Sequence, residues 1–151
     1  MDDEPLPNRK WLRHEVPFRV NDPYPRFFIT VCCKERGRNQ LATDEMWIFL
    51  RESIKKRNAG GNWNCELFLA MPDHIHGFFS FENESRMTNA VKQWKRWVAR
   101  EKQIVWQKGF FEHRLRNDAN SGEKWDYILQ NPVRAGFVEH PKDWPYQYHR
   151  R

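Results

Sequence analysis

Two histidines one residue apart, His74 and His76, sit inside "LFLAMPDHIHGFFSF", a run that otherwise has the apolar, β-branched and aromatic character of a buried strand. Side chains of a strand alternate between faces, so both imidazoles leave the same side of one sheet and Ile75 leaves the other. A pair of neutral imidazoles is poor core material and a good start for a divalent-metal site, needing a third ligand from elsewhere and leaving positions open for substrate oxygens. The same pair would also serve as polar residues on the solvated face of an amphipathic strand. Downstream, in "WDYILQNPVRAGF", Tyr127 and Asn131 are four apart and share one face of a helix. A phenol beside an amide oxygen suits a nucleophile next to a metal ligand. Equally, Tyr127 could be a half-buried core aromatic and Asn131 the last helical residue before Pro132.

These residues need a frame. "RFFITVCC" (26–33) reads as a first strand. Thr43 is a plausible N-cap for a helix from Asp44 to about Asn58, with Met46, Trp47, Leu50 and Ile54 on one face and "AGG" ending it. A hairpin follows, with strands near 63–70 and 74–81 joined at Met71-Pro72-Asp73. The next helix, capped by Ser85 or Thr88, runs to about Gln103; Val91, Trp94 and Val98, with Trp97 flanking, face inward, and Lys92, Lys95, Arg96 and Arg100 face out. "GFFEHRLR" (109–116) makes a fourth strand. A short helix, Gly122 to Asn131, begins at Asn120 or Ser121 and stops at Pro132. The order β-α-β-β-α-β plus a tyrosine-bearing last helix predicts an α+β fold, a single domain with a ferredoxin-like antiparallel sheet. Residues 1–25 hold five of the nine prolines and read as an extended arm.

Composition bounds the partner. The 151 residues carry 26 Lys and Arg against 20 Asp and Glu, a formal net charge of +6, which favours a polyanion such as nucleic acid. Aromatics make up 15% of the chain, supplying core and, beside cations, stacking platforms for bases. "NRKWLRH" in the arm (Arg9, Lys10, Trp11, Arg13) has that mix, and Arg114, Arg116 and Arg134 lie near the candidate chemistry in sequence. Any single one of these cations would also be at home as a solvated surface charge. No leader-like apolar stretch opens the chain and no run approaches a membrane span, so a cytoplasmic location is expected. Three cysteines, Cys32, Cys33 and Cys65, lie in strand-like segments without CxxC spacing, which argues for reduced thiols packed as small hydrophobes.

"MPDHIHGFF" followed about fifty residues later by "YILQNPVRAGFV" resembles the tyrosine transposases of the His-hydrophobic-His (HUH) endonuclease class, in particular the REP-associated branch. "WLRHEVPFRV", "RFFITVCC", "GFFEHRLR" and "PKDWPY" extend the resemblance from about Trp11 to Tyr146. It implies an HUH endonuclease architecture and an enzyme that cuts single-stranded DNA near hairpins by transesterification. Tyr127 would be the nucleophile, making a 5′-phosphotyrosine and freeing a 3′-hydroxyl. His74, His76 and Asn131 would hold Mg²⁺ or Mn²⁺. The covalent link would keep the phosphodiester energy, which fits the absence of a GxxxxGK[ST] loop. The chain has Glu112 where the family more often has Asp, and Asp73 where it often has Asn. The implied partner is hairpin-bearing, REP-like single-stranded DNA, bound by a monomer or a homodimer. Two rival functions remain: a DNA-hairpin-binding protein or repressor of the same fold without cutting, and a metal-dependent hydrolase that leaves Tyr127 unexplained.

Overall fold

A computed structural model describes residues 24–61, 63–116 and 118–150 of the chain, the side chains of 118 and 119 excepted. The elements are β1 (Arg26–Cys32), α1 (Asp44–Gly60), β2 (Asn64–Met71), β3 (His74–Ser80), α2 (Glu84–Lys102), β4 (Phe111–Leu115), α3 (Asp118–Arg134), a 3-10 turn (Pro141–Asp143) and β5 (Gln147–His149). The strands form one antiparallel sheet in the order β4-β1-β3-β2-β5. The first four strands keep the expected ferredoxin-like order. The fifth was not expected from the sequence. Among the described residues no helix is long and apolar enough to cross a membrane. The proposed arm and its Arg9, Lys10, Trp11 and Arg13 lie outside the described residues.

Strand alternation sorts the core into two layers. Phe27, Ile29, Val31, Cys65, Phe68, Ala70, Ile75 and Phe79 pack against α1 and α2 on one side of the sheet. Leu67, Leu69, Met71 and Phe78 pack with Trp125, Ile128 and Leu129 of α3 on the other. Five of the seven described tryptophans, Trp47, Trp63, Trp94, Trp125 and Trp144, are buried. So are the three cysteines, and burial pushes the thiols up, Cys33 to about 12.

Local chemistry explains most element ends. Thr43, in extended backbone, accepts a hydrogen bond from the Met46 N–H at 3.2 Å and so starts α1. Gly61, at φ 78°, ends it. α2 begins differently from expectation. Asn83 caps it by accepting from the Arg86 N–H at 2.9 Å, so Ser85 and Thr88 fall inside the helix.

α3 is longer at both ends than its sequence suggests. It starts at Asp118, leaving Asn120 and Ser121 inside, and it runs through Pro132 to Arg134. A proline forfeits one helical hydrogen bond and crowds the carbonyl four residues back, here that of Ile128, yet the next turn still forms. The stop is Gly136, at φ 83°. Its N–H bonds the Val133 carbonyl and the Phe137 N–H bonds the Pro132 carbonyl, the paired closure of a Schellman motif. Beyond it, Trp144 donates from Nε1 to the Ala70 carbonyl at 3.0 Å, and residues 147–149 pair with β2.

Candidate active site

The β1–β3 register builds the site. Thr30 faces His76 and Cys32 faces His74, and both histidines lie on the α3 side of the sheet, while Ile75 is buried on the other. The two imidazole centroids are 4.8 Å apart. Each ring is held by its Nδ1: His76 by Thr30 Oγ1 at 2.9 Å, His74 by Asp73 Oδ1 at 2.8 Å. Asp73 is itself fixed, since Arg36 Nε (3.0 Å) and the Gly37 N–H (2.7 Å) donate to its other oxygen. The Pro72-Asp73 turn is tied to β1 by a Cys33 N–H to Asp73 carbonyl bond of 2.9 Å, so the first histidine is presented from a doubly anchored hairpin.

Charge states follow from burial. Burial alone would raise the Asp73 carboxyl, but hydrogen bonds from Arg36, Gly37 and His74 outweigh it and hold it well below the usual carboxylate range. An ionised carboxylate only accepts, so Nδ1 of His74 carries the proton and Nε2 keeps its lone pair. Burial pushes His76 down to about 3, with further lowering by His74, Arg134 and Arg36. His74 is also lowered by burial, against the opposing pull of Asp73. Both rings are therefore neutral at neutral pH, and among the described residues neither Nε2 takes part in a hydrogen bond. Two neutral imidazoles with anchored Nδ1 and open Nε2 atoms fit a divalent cation. Among the described residues no three of His, Cys, Asp and Glu converge as a metal site, so a third side-chain ligand would come from another residue type.

Tyr127 stands beside this pair. Its ring is 6.2 Å from that of His76 and 6.0 Å from Phe28, which in turn stacks on His76 at 5.4 Å. Buried Trp125, Ile128 and Leu129 seat α3 on the sheet, and this leaves Tyr127 46% exposed over the histidine face. The other tyrosines with described hydrogen bonds do structural work. Tyr146 donates to Asp44 Oδ1 at 2.8 Å, and the Tyr148 hydroxyl accepts from Asn58 Nδ2 at 3.2 Å. Asn131 is half-buried, one turn beyond Tyr127.

The cations named from sequence divide between the two sides of the sheet. Arg134 is on the tyrosine side. Lys92, Arg96 and Arg100 are exposed on α2, across the sheet from Tyr127, with Arg100 3.6 Å from Glu101. Lys95 differs from them: it is half-buried, its ammonium bonded to the Gln107 carbonyl (3.0 Å) and to the Gly109 carbonyl, so it pins the segment that leads into β4. On β4, Arg114 pairs with Phe27 and Glu112 with Ile29, away from the site, whereas His113 pairs with Phe28 on the site face. Arg116 is exposed just past the strand.

Sequence reading overlooked Phe28, Thr30, Arg36 and Lys124. Lys124 places Nζ 5.4 Å from the Phe28 ring and 5.7 Å from that of Tyr127. Alternation along "RFFITVCC" already puts Phe28 and Thr30 on one face; only the pairing with β3 shows that it is the histidine face.

No family model matches the chain. A REP-associated tyrosine transposase of Escherichia coli K12 is 30% identical over 130 residues, covering 82% of this chain and 76% of its own length. A Haemophilus influenzae protein provisionally named for the same family is 30% identical over 142 residues, covering 82% of this chain and 80% of its own. The chain belongs to the REP-associated tyrosine transposases. Its fold agrees. A solved REP-associated tyrosine transposase bound to a REP hairpin superposes with a TM-score of 0.64 at 27% identity, over 86% of this chain and 81% of that one.

Proposed function

We propose that this transposase cuts and rejoins single-stranded DNA beside a hairpin, with Tyr127 as the nucleophile. The phenol oxygen attacks a backbone phosphorus, the bond to the 3′-oxygen breaks, and the products are a 5′-phosphotyrosine and a free 3′-hydroxyl. The phenol gives up its proton and the 3′-oxygen gains one, so the exchange is balanced without a nucleotide cofactor; reversal by a second 3′-hydroxyl rejoins DNA. The observation that carries this reading is the approach of the Tyr127 and His76 rings to 6.2 Å on one face of the sheet, with Phe28 packed against both.

The chain's own residues have separable tasks. Thr30 and Asp73 orient the imidazoles, and the ionised Asp73 sets the tautomer of His74. Phe28 and the α3 core hold the tyrosine above them. Lys124 supplies positive charge beside the phenol, where a DNA phosphate has to arrive. His74 and His76, through Nε2, with Asn131 as third ligand, would hold Mg²⁺ or Mn²⁺, which when bound neutralises a non-bridging phosphate oxygen and eases departure of the 3′-oxygen. The exposed cations of α2 and β4 would contact phosphates elsewhere on the DNA, weakening with salt. Hairpin binding by the solved relative supports the choice of substrate.

The test is an incubation of the protein with Mg²⁺ or Mn²⁺ and a hairpin-bearing single strand, run on a denaturing gel. The proposal expects a covalent protein–DNA band that is absent in Tyr127→Phe. Cleavage without a covalent band would point to hydrolysis, and binding without cleavage to a hairpin-binding protein or repressor.

A further inference from the structure

Arg134 does two things to Tyr127 at once. Its guanidinium carbon lies 4.0 Å from the centroid of the phenol ring, and its Nη2 donates to the main-chain carbonyl of the same residue at 2.8 Å. Among the described residues neither Arg134 nor Lys124 has an ion-pair partner, so the tyrosine is flanked by two uncompensated cations. The reach is unusual: Arg134 sits seven residues after Tyr127, two turns along α3. Pro132 lies between them, with no N–H to give to the Ile128 carbonyl. Proline and arginine are thus at fixed offsets from the tyrosine, and the helix continues only to Arg134 before Gly136 closes it.

Arg134 is exposed, yet its guanidinium is not free in solvent. It lies over the ring and is tethered to the Tyr127 backbone through Nη2, a contact that a lysine ammonium, a point charge on a flexible stem, would reproduce only in part. Phe28 and His76 pack against one side of the half-exposed Tyr127 ring, and a nucleophile must be held in one attack geometry before substrate arrives.

We propose that Arg134 is a positioning residue, locking the Tyr127 ring over the His74–His76 face in the DNA-free protein. The inference rests on reading Tyr127 as the nucleophile, and its test therefore has two arms. The first needs no catalysis: fluorine NMR of the full-length protein carrying 3-fluorotyrosine, the Tyr127 line being identified by its loss in Tyr127→Phe. Arg134→Gln is expected to move and sharpen the Tyr127 line and to leave the other tyrosine lines in place. An unmoved Tyr127 line would overturn the proposal. The second arm is single-turnover adduct formation on a hairpin-bearing strand. The rate at saturating DNA should fall about tenfold or more in Arg134→Gln, with partial recovery in Arg134→Lys. The DNA concentration for half-saturation should change less than about threefold, since positioning acts on the reacting complex. A loss confined to that half-saturating concentration would overturn the proposal and make Arg134 a phosphate contact. If wild-type protein forms no adduct, the nucleophile reading fails, while the fluorine spectra still decide whether Arg134 holds the ring.

Discussion

Replacing Thr30 by Val probes the site through a side chain that is not among the proposed ligands. The two side chains have the same shape and Val favours strands at least as well, so β1 itself should not suffer. The lost group is the hydroxyl 2.9 Å from His76 Nδ1. His76 is only 6% exposed, so water replaces that partner poorly. A buried polar group left without its hydrogen-bond partner costs roughly 1–3 kcal/mol. For a chain of this size that is a melting-point fall of about 2–12 °C, at 2–4 °C per kcal/mol. The metal should feel a second effect. Thr30 holds the His76 ring through Nδ1, and loss of such a partner typically weakens metal affinity about 10–100-fold. Two assays read the two effects: thermal unfolding followed by circular dichroism in a chelator, and Mn²⁺ titration followed by electron paramagnetic resonance. Nitrogen-15 NMR of the imidazoles adds the tautomer. Unchanged melting together with an unchanged Mn²⁺ dissociation constant would refute the claim that Thr30 orients His76.

Three further outcomes follow from the same geometry. Asp73→Ala removes the acceptor of His74 Nδ1 and of the Gly37 N–H, and Mn²⁺ affinity should drop about 10–100-fold; an unaltered titration would show that Asp73 does not orient the ring. Acid should destabilise the metal-free protein. The unfolded chain protonates this imidazole near pH 6.5 while folded His76 resists to about 3, so stability is full above 6.5 and falls as pH drops towards 3. The loss approaches about 1.4 kcal/mol per pH unit, and urea unfolding between pH 7 and 5 should show it in wild type and not in His76→Asn; equal slopes would contradict it. Gly77→Ala would place a methyl 2.0 Å from Phe79 Cε1, in a ring packed 5.0 Å from Trp63. Overpacking of this kind costs about 1–3 kcal/mol. A melting point equal to wild type would show that the Phe79 ring yields freely.

Features set by one residue and its near neighbours were legible in the sequence. Thr43 caps α1 because a hydroxyl can reach an N–H three residues on, and the histidines share a face because strand alternation leaves no other choice. Misreadings came where a later residue outcompeted an earlier signal, or an earlier one a later. Pro132 reads as a stop, yet Gly136 supplies the left-handed backbone that ends α3; Asn83 caps α2 ahead of Ser85 and Thr88. Strand β5 was unreadable because three residues form it only by pairing with the edge of β2. The supports of the site were hidden for a related reason. That Thr30 meets His76, or that Arg36 meets Asp73, depends on how β1 and the loop after it lie against the β2–β3 hairpin, which no local pattern encodes. Lys95 looked like one more outward cation, but the segment after α2 folds back to claim its ammonium.

The central claim is that Tyr127 carries the DNA. Trypsin would release it within the peptide from Trp125 to Arg134, bounded by Lys124 and Arg134 and containing no other tyrosine. Mass spectrometry of a nuclease-trimmed reaction with a hairpin-bearing strand and Mn²⁺ should find that peptide bearing a 5′-linked nucleotide on Tyr127. A nucleotide on a peptide holding Tyr24, Tyr146 or Tyr148, or cut DNA with every tyrosine unmodified, would contradict the account.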